Sequence, residues 1–85
     1  MASTIGSRLA QARLNAGAAR GKAYTQTELG RVVGVLPSTV SQWEANNSEP
    51  SLGTLMKIGK AFNVDPGWLA WGDRTDIFLI DETGG

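Results

Sequence analysis

The sequence contains no cysteine and no histidine. Without cysteine, a disulfide framework, a thiolate metal site and a cysteine nucleophile are all excluded. Without histidine, the commonest general base and the commonest metal ligand are missing as well. Most hydrolytic and metal chemistry is therefore excluded, and we expect neither an enzyme nor a bound metal or other cofactor.

Long hydrophobic runs are also missing. The longest strongly apolar run covers residues 77–80, which is far short of the roughly 20 residues that span a bilayer. The N-terminus lacks the basic region and apolar stretch of a signal peptide. We therefore expect an intracellular protein that does not interact with a membrane.

The 85 residues are enough for one small domain, and the hydrophobic fraction of 41% is typical of a folded chain. The formal net charge is zero, but the charges are unevenly distributed. Residues 1–43 hold five basic side chains and one acidic one, whereas residues 65–85 hold one basic and five acidic. This distribution allows a basic face at one end, but charge alone leaves nucleic-acid binding undecided.

The first of five predicted helices starts near the N-terminus. Ser3 or Thr4 has a side chain suited to cap it, and Gly17 is expected to end it. Residues 18–23 then have the composition of a small-residue, basic connector. The inward face is predicted from apolar residues at helical spacing, namely Ile5, Leu9, Ala12 and Leu14.

Two short helices are predicted on either side of Gly34, since glycine adopts the left-handed conformation of a tight turn without strain. Thr25 and Glu28 fit a reciprocal capping box at the start of the first. Pro37 suits the first turn of the second, where a backbone N–H has no helical partner. The residues expected to face the core are Leu29, Val32, Val33, Val40 and Trp43.

Two further helices complete the prediction. Asn46 is expected to end the third helix in the left-handed conformation, and Pro50-Ser51 restarts the chain as a fourth. Asp65-Pro66 opens a short fifth helix that Gly72 closes. The residues of the fourth helix that are spaced for burial are Leu52, Leu55, Met56, Ile58, Gly59 and Phe62.

The fifth helix and the tail that follows it hold more apolar surface than one face buries. Trp68, Leu69 and Trp71 lie within one short helix, and we expect Trp71 to be available to a partner subunit. The apolar run at residues 77–80 suits a short strand. The residues predicted to support dimerisation are Trp68, Trp71, Ile77 and Phe78.

The segment from Ile5 to Gly72 resembles the lambdoid phage repressor and Cro family of helix-turn-helix domains, also called the Xre family. The motifs that carry the resemblance are TQTELG at 25–30, VVGV at 32–35, STVSQWE at 38–44 and DPGWLAWG at 65–72. The resemblance implies an all-α, compact five-helix, lambda-repressor-like DNA-binding domain over residues 1–72, with residues 73–85 as a tail or linker.

The function that the resemblance implies is a sequence-specific, double-stranded DNA-binding transcriptional regulator. Such a protein is typically a phage or prophage-type repressor that binds a palindromic operator as a homodimer. It would act in the cytoplasm of a bacterium, encoded by the bacterium or by its phage. The alternative is a protein-interaction module, such as an antitoxin-like domain that binds a partner through helix 5 and the tail. The sequence shows no pattern for a small-molecule ligand.

The resemblance also implies functional roles for individual residues of this chain. Base readout is implied for Pro37, Ser38, Thr39 and Gln42, and a glutamine amide can bond bidentately to adenine. Contact with backbone phosphate is implied for Gln26, Thr27, Asn46, Asn47 and Ser48. Arg13 and Glu44 match an ion pair that the family buries between helix 1 and the recognition helix. Such a pair orients the recognition helix and does not touch DNA.

Two features depart from the family pattern. Leu36 stands where serine or threonine is usual, so the recognition helix lacks its normal side-chain cap. The second departure is the segment 18–23, which we expect to lengthen the connection between helices 1 and 2. Arg20 and Lys22 in this segment are either contacts to phosphate or part of a solvated loop, and the sequence favours neither.

Overall fold

Five helices occupy the part of the chain that the computed structural model describes, residues 3–72. They are α1 (Ile5–Arg20), α2 (Gln26–Val33), α3 (Pro37–Glu44), α4 (Leu52–Phe62) and α5 (Pro66–Trp71). The prediction of an all-α, five-helix domain is confirmed. The predicted strand at 77–80, and with it Ile77 and Phe78, lies outside the described residues.

Side-chain caps begin four of the five described helices. In each, an oxygen of the residue before the helix accepts a hydrogen bond from a backbone N–H of the first turn. These caps are Thr4, Thr25, Ser51 and Asp65. At α3 the cap position is held by Leu36, which makes no such bond, and Pro37 occupies the first turn. The third helix therefore starts without side-chain support, as its sequence indicates.

The first helix is longer than its sequence suggests, because it continues past Gly17 to Arg20. Gly17 is buried inside the helix, where an added Cβ would lie 2.9 Å from the backbone nitrogen of Tyr24. Its role is close approach between chain segments and not termination. The helix ends instead at Gly21, which has a φ of 71°. The predicted connector over 18–23 is therefore wrong, since its first half is helical.

One hydrophobic core lies between the helices. Its buried members are Leu9, Ala12, Tyr24, Leu29, Val33, Val40, Trp43, Leu55, Ile58 and Leu69. Four residues predicted to be buried are more than half exposed, namely Leu14, Val32, Leu52 and Met56. Val32 and Met56 each lie one residue from a core residue, and Leu14 lies two residues from Ala12, so the rotation of about 100° per residue turns them away from the core. Leu52 is the first residue of α4.

Arg8 holds α5 on α1 and was not predicted to have a role. The side chain is buried, and its Nε and Nη2 donate to the carbonyl oxygens of Leu69 and Ala70, each at 3.0 Å. Its Nη1 donates to the carbonyl oxygen of Ser3 at 2.7 Å. A buried cation is thus satisfied by carbonyls at the negative end of a helix. Nothing in the spacing of the sequence distinguishes Arg8 from a surface arginine.

The fifth helix presents its tryptophans unequally. Leu69 is fully buried and Trp68 partly buried against the core, whereas Trp71 is 62% exposed. This exposure agrees with the expectation that the short helix holds more apolar surface than the domain covers. Whether the surface joins two subunits stays a prediction.

Candidate nucleic-acid interface

A tight turn joins α2 to α3 and fixes the two helices as one unit. Gly34 has a φ of 83°, in the left-handed region that favours glycine. The backbone nitrogens of Gly34 and Val35 both donate to the carbonyl oxygen of Gly30, each at 2.8 Å. Two apolar side chains of each helix are buried in the core, namely those of Leu29, Val33, Val40 and Trp43. This is the predicted helix-turn-helix arrangement.

The outer face of α3 is polar and open to solvent. Pro37, Ser38, Ser41 and Gln42 are exposed, and Thr39 is half-buried. Among the described residues, the Ser38 and Gln42 side chains have no hydrogen-bond partner. Donors and acceptors of this kind are available to base edges, and they face away from the core.

The C-terminal end of α3 is held by the carboxylate of Glu44. Arg13 of α1 donates to it bidentately, with Nε–Oε2 at 2.7 Å and Nη2–Oε1 at 3.0 Å. The two side chains retain only 15% and 10% exposure. Gln26 of α2 donates to the same carboxylate, with Nε2–Oε1 at 3.1 Å. One carboxylate therefore joins α1, α2 and α3.

Arg13 also reaches the loop before α2. Its Nη1 donates to the carbonyl oxygen of Tyr24 at 2.7 Å. The hydrogen bond to Glu44 raises the pKa of the Arg13 guanidinium, and burial opposes this shift. Arg13 thus acts inside the domain, which agrees with an orienting role and leaves no reason to place it on DNA.

A second contact joins the start of α1 to Asn46, two residues after the end of α3. Asn46 has a φ of 63°, and its Oδ1 accepts a hydrogen bond from the backbone nitrogen of Gly6 at 3.0 Å. A Cβ on Gly6 would lie 2.7 Å from the carbonyl oxygen of Glu44, so the two backbones approach as closely as glycine permits. Sequence reasoning found the left-handed Asn46 but missed this contact, which depends on tertiary structure.

The residues expected to meet phosphate lie at two places. Gln26 and Thr27 are in the first turn of α2, and Asn46, Asn47 and Ser48 follow α3. Thr27, Asn47 and Ser48 are exposed, and their side chains make no hydrogen bond within residues 3–72. Gln26 is half-buried, and its hydrogen bond to Glu44 joins the first turn of α2 to the end of α3. The phosphate contacts themselves stay predictions.

Arg20 and Lys22, the remaining basic candidates, have different surroundings. Arg20 is paired with Glu28, and Nη1 donates to Oε2 at 2.8 Å. This pairing lowers the pKa of the Glu28 carboxyl. It also makes half of the predicted capping box wrong, because Glu28 faces Arg20 and not the backbone of Thr25. Lys22 is exposed, and contact of either cation with phosphate stays a prediction.

The described part of the chain holds neither of two other kinds of site. Over residues 3–72, acidic side chains do not gather into a group of three that would hold a metal ion. In the same range, each helix is too short or too polar to cross a membrane.

A helix-turn-helix family model matches residues 18–69, which is more than half of the chain. The chain belongs to the helix-turn-helix family. Two curated proteins are similar to it. They are the HTH-type transcriptional regulator DicA of Escherichia coli (strain K12), 33% identical over 71 residues, and Repressor protein C2 of Salmonella phage P22, 40% identical over 48 residues.

These helix-turn-helix relatives are longer than the matched region. The alignment with DicA covers 84% of this chain and 48% of DicA, and the alignment with C2 covers 56% of this chain and 22% of C2. The chain therefore spans about half of one relative and about a fifth of the other. Among solved structures, the P22 c2 repressor protein in complex with synthetic operator 9T is similar, with a TM-score of 0.73 and 30% identity. That match covers 85% of this chain and 100% of the repressor chain.

Proposed function

We propose that this chain is a sequence-specific, double-stranded DNA-binding transcriptional regulator of the phage or prophage repressor type. The observation that carries the proposal is the exposed polar face of α3, whose Ser38 and Gln42 side chains have no partner within residues 3–72. The likeness to a repressor solved with its operator supports the same function. The domain acts by binding and not by catalysis, in the cytoplasm where bacterial DNA is found.

In this proposal α3 enters the major groove and reads base edges. Gln42 is the chief reader, because a glutamine amide pairs bidentately with adenine N6 and N7. Pro37 offers an apolar contact suited to a thymine methyl, and Ser38 and Thr39 offer short hydroxyls. Phosphate contacts from the first turn of α2 and from residues 46–48 set the position of the domain on the duplex.

We further propose that two copies bind a pseudo-palindromic operator. A single helix-turn-helix reads only a few base pairs, and two recognition helices about 34 Å apart meet successive major grooves on one side of the duplex. The exposed Trp71 on α5, with Trp68 beside it, supports this end of the domain as the place where two copies meet.

Selection of bound sequences from a random duplex library tests the proposal directly. The expected product is a motif of two inverted half-sites, with centres about one helical turn apart. A library that shows no enriched sequence after repeated selection would contradict sequence-specific binding. An enriched motif without inverted symmetry, bound by one copy at saturation, would contradict the dimer alone.

A protein-interaction module is the second candidate, and the exposed Trp71 is the observation that favours it. Salt distinguishes the two functions. Binding to DNA weakens steeply as salt rises, because phosphate contacts release condensed counterions. Association through an apolar helix face is insensitive to salt or strengthens with it. Association with a protein partner that does not weaken as salt rises, without binding to duplex DNA, would favour the second candidate.

A further inference from the structure

The guanidinium of Arg20 is hydrogen-bonded to the turn that follows α1. Its Nε donates to the carbonyl oxygen of Lys22 at 3.0 Å, and its Nη2 donates to that of Ala23 at 2.8 Å. Both terminal nitrogens also donate to the two carboxylate oxygens of Glu28 in α2. The guanidinium carbon lies 4.5 Å from the centre of the Tyr24 ring.

This environment leaves Arg20 little to offer a phosphate. A guanidinium has five N–H donors, and these contacts use four of them. The paired carboxylate neutralises its charge, and one of its faces is covered by the Tyr24 ring. A phosphate would have to displace Glu28 to gain a bidentate contact.

Lys22 is held differently, because its backbone is fixed and its side chain is not. Its backbone nitrogen donates to the carbonyl oxygen of Gly17 at 3.1 Å, and its own carbonyl accepts from Arg20. Lys22 lines a groove that Thr25, the cap of α2, also lines. Within residues 3–72 the exposed ammonium makes neither a hydrogen bond nor an ion pair.

We infer that Arg20 is a positioning residue for DNA binding, which clamps the α1–α2 turn so that Lys22 meets a backbone phosphate beside the start of α2. The inference rests on the proposed function. It gives different roles to Arg20 and Lys22, which the sequence does not distinguish. The ion pair between Arg20 and Glu28 then acts through geometry, since a pair about one-third exposed contributes little to folding.

Titration of a mixed-sequence duplex with the whole chain over a series of salt concentrations tests the inference. Lys22→Ala removes one phosphate contact. The negative slope of log binding constant against log salt should therefore become shallower by about 0.9 per bound chain. Glu28→Gln keeps both cations but removes the carboxylate that holds the Arg20 guanidinium. It should make the slope shallower by a similar amount. The slope measured for the double variant should be no shallower than the slope for Lys22→Ala alone.

Two controls separate this role from general charge and from folding. Lys60→Ala removes an exposed cation from the last turn of α4 and should leave the slope at the wild-type value. Arg20→Lys keeps the charge but loses the forked geometry, so it should behave as Glu28→Gln does. Thermal melts of each variant confirm that the compared chains are folded.

Three results would overturn the inference. A steeper slope for Glu28→Gln would mean that the released Arg20 itself contacts phosphate. Parallel lines for wild type and Lys22→Ala would mean that the turn is only solvated. Both results leave DNA binding intact, whereas a wild-type chain with no salt-dependent binding would overturn the proposed function together with the inference.

Discussion

The two ends of α3 are held in opposite ways. At the C-terminal end, Glu44 accepts hydrogen bonds from α1 and α2, and Asn46 accepts one from Gly6. At the N-terminal end, Leu36 provides no cap, and the Ser38 side chain makes no hydrogen bond within residues 3–72. Side-chain hydrogen bonds tie the C-terminal end to α1 and α2, whereas the side chains of Leu36, Pro37 and Ser38 at the N-terminal end are exposed to solvent.

This difference teaches how a small domain presents a recognition helix. A helix of eight residues is marginal by itself, so its direction must come from tertiary contacts. When the side-chain contacts lie at one end, polar side chains elsewhere on the helix stay available to bind a ligand, because they make no hydrogen bonds inside the protein. The four predictions that follow test this contrast by altering one end at a time.

The largest effect is expected at the anchored end, from Glu44→Ala. The change leaves Arg13 partly buried without its carboxylate, and we expect a loss of about 3 kcal/mol of unfolding free energy, the low end for a broken buried pair. Urea denaturation followed by circular dichroism measures it. Glu49→Ala is the matched control, because Glu49 is exposed and has no ion-pair partner within residues 3–72. Equal stability of the two variants would contradict the anchor.

A smaller loss is expected from Gly6→Ala, which disturbs the same end from the side of α1. The added Cβ would lie 2.6 Å from Asn46 Oδ1 and 2.7 Å from the Glu44 carbonyl oxygen, so the helices must separate. Overpacking of this kind costs about 2 kcal/mol. Gly53→Ala is the control, since the nearest atom to its Cβ would be Ser51 Oγ at 4.0 Å, and the change should stabilise α4 by less than about 1 kcal/mol. Thermal melts that move in the same direction for both would be inconsistent with close packing at Gly6.

At the free end, Leu36→Ser should stabilise the domain. Serine supplies the missing side-chain cap of α3, which is worth about 1 kcal/mol. Leu36 is 69% exposed, so little burial is lost with it. Leu36→Ala is the control, because it removes the same apolar surface without adding a hydroxyl. If alanine and serine give the same melting temperature, capping is not the reason.

The smallest effect on stability is expected from Ser38→Ala, also at the free end. The side chain is exposed and makes no hydrogen bond within residues 3–72, so the change should remain within about 0.5 kcal/mol. Ser51→Ala, which removes the cap of α4, should lose about 1 kcal/mol in the same urea titration. A loss at Ser38 as large as that at Ser51 would show that the free end contributes to folding.

Most of the fold is predictable from local signals in the sequence. Thr25, Ser51 and Asp65 begin their helices as expected, and Gly34 ends α2. These residues act within one turn of their own position, so the sequence around them is sufficient. The ion pair of Arg13 with Glu44 follows from the resemblance to a family and not from local signals.

The errors arise where distant segments decide the local structure. Glycine often ends a helix, and Gly17 is therefore a natural candidate for the end of α1. In the structure, however, Tyr24 packs against Gly17 and the helix continues to its cap at Gly21. A basic residue in the last turn followed by glycine, as in Arg20-Gly21, is the signal that would have found the true end. Arg8 offered no such signal, because only the folded chain brings it to the carbonyls of α5.

The central claim is that the exposed polar face of α3 reads bases, while the contacts that Glu44 makes with α1 and α2 only position the helix. Binding of Gln42→Ala and Gln26→Ala to a panel of single-base variants of the selected operator tests this most directly. The account predicts that Gln42→Ala loses about 1–3 kcal/mol per half-site and relaxes the preference at one base position. Gln26→Ala should weaken all sequences alike, because phosphate contacts position without specifying. A uniform loss for both variants would contradict the account.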